Sequence, residues 1–129
     1  GMQKDMHEFY RQAVSLTQDS LERGLVYYYI SDGIEPVKSP GGRESEEFLN
    51  WDEEMSVAVN YLDKVVKLSS YFLKNKKLEL RELPSRSAYK IHQIRYWMAH
   101  GQRDVAQCDE AIQYIYIYVM SYFQVYLEI

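Results

Sequence analysis

This 129-residue sequence predicts an all-α fold, an antiparallel up-and-down four-helix bundle. Three observations predict it. Apolar residues recur at steps of three and four along most of the chain, which is the stripe of a 3.6-residue period. Glycine and proline gather in one stretch, Gly33 to Gly42, with Pro84 and Gly101 as isolated punctuation further on. No two segments alternate apolar and polar residues as pairing strands would.

The first helix is expected over residues 4–29, where Met6, Phe9, Tyr10, Ala13, Val14, Thr17, Leu21, Leu25 and Tyr28 form one stripe. It stops at Ser31-Asp32-Gly33, and Pro36, Pro40, Gly41 and Gly42 mark a loop over 31–44. A second helix runs from about 45 to 75. Phe48, Trp51, Met55, Ala58, Leu62, Val65, Ser69 and Phe72 line its inner face, Ser45 is its N-cap, and acidic residues load its first turns. The connection from Leu78 to Leu83 has room for one helical turn.

Pro84 opens the third helix, with Leu83 or Ser85 near the cap and Ala88, Ile91, Ile94 or Arg95, and Met98 following inward until Gly101 ends it. The fourth begins at an Asp104 N-cap and directs Val105, Cys108, Ile112, Ile115, Val119, Tyr122 and Tyr126 inward. Within it, Tyr114 to Val119 is β-branched and aromatic, a strand by local propensity. The periodicity of its flanks makes it helix. Its tyrosines exceed what one core stripe uses, so a second buried contact, a homodimer interface, is expected.

Length and composition make residues 1–129 a single domain of ordinary globular character. Neither a membrane span nor a secretory start is indicated, and a single cysteine, Cys108, suits a reducing cytoplasm. Residues 74–103 carry Lys74, Lys76, Lys77, Arg81, Arg86, Lys90, Arg95 and Arg103 against Glu79 and Glu82, a local +6 in a chain of net charge −4. Two readings stay open: a phosphate-attracting surface, or charges matched by acidic segments of the same fold.

The most chemically equipped segment is Arg95-Tyr96-Trp97-Met98-Ala99-His100-Gly101, an R-x4-H pair. A guanidinium clamps phosphate and an imidazole moves protons near neutral pH. Positions five apart on a continuous helix point about 140° away from each other, so convergence requires an unwound turn at Gly101 or a second chain. The other reading has Arg95 paired with a glutamate of a neighbouring helix. His7 and His92 stand alone, and His92, one turn before Arg95, falls near the pair. No Glu-x-x-His, H-E-x-x-H, P-loop or G-x-S-x-G motif occurs, so no metal or cofactor is expected.

A helical domain of this length, with R-x4-H and then Gly101 closing the third long helix, resembles the HEPN (higher eukaryotes and prokaryotes nucleotide-binding) domain superfamily. The resemblance covers the chain in architecture and Ile94 to Gly101 in motif. It implies a metal-independent ribonuclease, of toxin or defence type, with Arg95 and His100 catalytic at a dimer interface. Lys76, Lys77, Lys90 and Arg103 would then hold RNA phosphates, and Tyr96 and Trp97 would stack on bases. It equally implies a non-catalytic dimeric module that binds a nucleotide, an RNA or a nucleotidyltransferase-type protein. Tyr96 is bulkier than the small polar residue common after the arginine in active members, and Gln102 stands where one toxin branch carries a tyrosine.

Overall fold

The computed structural model describes the backbone of residues 2–40, 45–102 and 105–127, and the side chains within 8–40, 45–98 and 109–124. Every regular element among the described residues is a helix: α1 (Met2–Ser15), α2 (Ser20–Asp32), α3 (Glu46–Lys67), α4 (Ser69–Leu73), α5 (Leu78–Arg81), α6 (Leu83–Gln102) and α7 (Val105–Leu127). Tyr114 to Val119 lies inside α7, helical as its flanks require.

The expected first helix is two helices. Ser15 and Thr17 hydroxyls donate to the carbonyls of Gln12 and Val14, at 2.7 and 2.6 Å, and serve backbone groups at the end of α1. Asp19 then starts α2 by accepting the Glu22 N–H at 2.7 Å. The expected 45–75 helix is also interrupted, at Leu68, whose backbone (φ −97°, ψ 15°) leaves the α region before two serines, weak helix formers. Ser45 caps α3 as expected, accepting the Phe48 N–H at 3.1 Å. The loop starts where the sequence placed it, since α2 ends at Asp32 with Gly33 as its C-cap. Its first residues are anchored: Ile34 is buried, and Trp51 Nε1 donates to the Val37 carbonyl at 3.0 Å.

The long helices pack in chain order, α2 on α3, α3 on α6 and α6 on α7, with α1 attached along α2 and by an edge contact of Tyr10 with the Tyr61 ring of α3 at 6.4 Å. The core has two parts. Under α3 and α6 lie Ile34, Phe48, Trp51, Met55, Ala58, Val59, Leu62, Ile91, Ile94 and Met98. Where α2, α4 and the start of α6 meet lie Tyr28, Val65, Phe72 and Leu83. Gly24 permits that second meeting, because a Cβ there would stand 2.6 Å from the Phe72 ring.

Two expectations about α6 and α7 change. Helix α6 continues through Gly101 to Gln102, so Gly101 does not end it and the backbone from Met98 to Gln102 is helical. On α7 the expected inward stripe is mostly turned outward among the described residues, where Ile115 is half-buried; the side chains of Val105, Cys108 and Tyr126 lie outside those residues. Ile112, Val119 and Tyr122 are exposed, while Ala111 and Ser121 are buried. Small side chains let α7 lie close against α6, and that rotation turns the larger apolar residues outward.

Candidate functional site

Arg95 lies on the side of α6 that faces α3 and α7, next to the buried Ile94. Its Nε is 3.2 Å from Glu110 Oε2 on α7, an ion pair with the arginine side chain mostly covered. Nη1 contacts the Met98 sulfur at 3.9 Å. Beside it, the Tyr114 hydroxyl donates to Asp63 Oδ1 of α3 at 2.6 Å, and Lys67 meets the other oxygen of that carboxylate at 2.9 Å. Burial first, then the hydrogen bond and negative charge of Asp63, hold the Tyr114 phenol well above the usual tyrosine range, against the opposing pull of Arg95. Tyr114 is therefore a firmly protonated donor.

Ser56, Val59, Asn60, Asp63, Arg95 and Tyr114 line a cleft of about 210 Å³ between the three helices. Two cations, two anions and a phenol thus close a polar seam along α3, α6 and α7. The seam orients helices. The hydroxyl that donates to Asp63 is the Tyr114 phenol, and its raised pKa opposes the deprotonation that a nucleophile needs.

The sequence brought Arg95 together with His100, whereas the structure brings Arg95 together with Glu110. The backbone is helical from Leu83 to Gln102, so the register separates positions 95 and 100 by about 140°. The side chain of His100, with those of Gln102 and Cys108, lies outside the described residues, as do Arg103 and Asp104 altogether.

The expected nucleic-acid contacts are dispersed. Lys90 bonds Asp32 at 3.1 Å and sits over the Tyr28 ring, 5.1 Å from its centroid, so its charge is matched within the fold. Arg86 is held by Glu82 at 2.8 Å. Trp97 packs against the α3–α6 core, while Tyr96 is exposed. Lys76 and Lys77 are exposed ahead of α5, and Arg95 is roughly 18 Å along α6 from its start at Leu83. Of the eight cations of the basic run, Arg86, Lys90 and Arg95 are ion-paired, with Glu82, Asp32 and Glu110.

Sequence reasoning underrated His92. Its Nδ1 donates to the Ala111 carbonyl at 2.7 Å, a bond from α6 to α7, and its ring is flanked by Tyr89 and Tyr96 at 6.3 and 6.4 Å. Tyr89 in turn meets Tyr118 at 5.3 Å. Spacing alone carried no sign of this, because the acceptor is a backbone carbonyl. Among the described residues no three His, Cys, Asp or Glu side chains gather into a metal-holding group, and no helix is long and apolar enough to cross a membrane. No protein-family model matches the chain, and neither a curated protein nor a solved structure is significantly similar to it.

Proposed function

We propose that this chain is a non-catalytic helical interaction module, with the HEPN-like four-helix arrangement its sequence resembles, acting in the cytoplasm by holding a protein partner. The observation that carries this is the Arg95–Glu110 ion pair. A guanidinium that already has a carboxylate partner gains little by exchanging it for a phosphate, and catalysis requires a donor pre-aimed at the charge that develops in the transition state. Two further cations of the basic run, Arg86 and Lys90, have carboxylates of their own, as does Lys67 on α3. Exposed apolar side chains are plentiful instead, and they concentrate on α7. Such surface favours a protein partner over RNA or a nucleotide.

The deciding experiment is incubation of the purified chain with single-stranded RNA in EDTA. Intact RNA is expected. Cleavage that falls by about 10²–10⁴ in His100→Ala, the usual worth of general acid–base catalysis, would instead establish the metal-independent ribonuclease of the R-x4-H motif. Salt-dependent RNA binding without cleavage, weakened by joint Lys76→Ala and Lys77→Ala substitution, would make the partner RNA rather than protein.

A further inference from the structure

We infer that the outward face of α7 is a self-association surface, on which a second copy of this chain docks through an antiparallel α7–α7 pair. Ile112, Tyr116, Val119 and Phe123 succeed one another at steps of four, three and four, the spacing of a helix-pairing seam. They are 62, 65, 40 and 49% exposed, and Met120 beside them is 47% exposed. They lie opposite the face that carries the buried Ala111 and Ser121. Isolated exposed apolar residues need no explanation, but a continuous stripe over three turns does.

Area and charge identify the occupant. With about 200 Å² for a large apolar side chain, those exposures leave on the order of 500 Å² per copy, so pairing two stripes removes roughly 1,000 Å². That meets the lower bound for a specific interface, before the flanking Gln113 and Gln124 are counted. The chain as a whole is acidic, yet no residue from 111 to 127 is charged, so two copies bring this face together without like-charge repulsion. Asp109 and Glu110 precede the stripe. A parallel pair would set them against their own copies, whereas an antiparallel pair puts them at opposite ends and opposes the helix dipoles. In that pair residue 112 meets residue 123 of the other copy, and 116 meets 119, which is the self-complementarity a two-fold axis requires.

The inference rests on the interaction-module reading only in naming the partner, and RNA cleavage is read separately, so either can fail alone. Sedimentation equilibrium from micromolar to about 100 µM should give twice the 15.4 kDa chain mass. Tyr116→Glu and Val119→Glu, both at exposed positions, should each weaken association at least tenfold with unchanged helical circular dichroism. Phe9→Glu, equally exposed but on α1, should leave it unchanged. In a Cys108→Ser background, mixed Ile112→Cys and Phe123→Cys chains should form the mixed disulfide in preference to either symmetric one.

A monomer at every concentration overturns the inference, as does a dimer indifferent to both α7 charges or broken by Phe9→Glu. A monomer that partitions onto phosphatidylcholine–phosphatidylglycerol vesicles through these residues replaces the second copy with a lipid surface. Dominant symmetric disulfides reject the antiparallel arrangement.

Discussion

Tyr114→Phe isolates the contribution of the polar seam, because it removes one oxygen and leaves the ring in place. The lost bond, 2.6 Å to Asp63 Oδ1, is short and charge-assisted, a type worth about 1.5–3 kcal/mol. Two features of the site lower that figure. Asp63 keeps Lys67 at 2.9 Å and a side chain 25% exposed, so the carboxylate is not stranded when the phenol goes. A destabilisation of about 1–2 kcal/mol at neutral pH is expected, read as a lower urea midpoint with an unchanged slope.

The pH dependence of that difference has a definite sign. The native phenol pKa is raised by burial and by Asp63, so below the ordinary tyrosine pKa of about 10 both states are protonated and the full contribution is present. Above it the unfolded chain releases a proton that the native state retains, and the contribution is lost progressively as pH rises toward the native pKa. The stability gap between wild type and Tyr114→Phe should therefore narrow above pH of about 10. A gap below a few tenths of a kcal/mol at neutral pH, or one that widens in alkali, would refute the assignment of Tyr114 as a buried donor that clamps α3 to α7.

Gly24→Ala should cost about 1 kcal/mol in chemical denaturation, since the overpacking of a methyl against the fully buried Phe72 ring outweighs the gain in helix propensity. In a Phe72→Leu background the same substitution should become neutral or stabilising, which a double-mutant cycle reads directly. Ser45→Ala removes the acceptor for the Phe48 N–H and should lower stability by about 1 kcal/mol without changing the denaturant slope. Ile94→Ala, at a fully buried position of α6, should cost about 2–5 kcal/mol, whereas Ile112→Ala, 62% exposed, should leave the monomer's stability nearly unchanged.

Helical periodicity was legible wherever a helix buries one face. Every residue of the stripe from Phe48 to Phe72 is buried except the half-buried Ser69, with Val59 the one further residue that α3 and α4 bury, and Ala88, Ile91, Ile94 and Met98 of α6 are all enclosed. The Ser45 cap, the stop at Gly33 and the helical state of Tyr114 to Val119 were equally readable, because each depends on neighbours within one or two turns. The breaks at residues 16–19 and at Leu68 were not, since side chains and serines interrupt a stripe that continues across them.

What required the folded molecule is everything set by the rotation of one helix against another. Periodicity reports that α7 has an apolar stripe without saying whether it faces inward, and contact through Ala111 and Ser121 turns Ile112, Tyr116 and Val119 to the outside. In the same way a run of cations announces charge but not its partners, which come from residues 15 to 58 positions away: Glu110 for Arg95 and Asp32 for Lys90. Secondary structure follows from local sterics and hydrogen bonding, which the chain carries in every short segment. The facing of a stripe and the pairing of a charge arise only when distant segments compete for the same neighbours, and packing decides that competition.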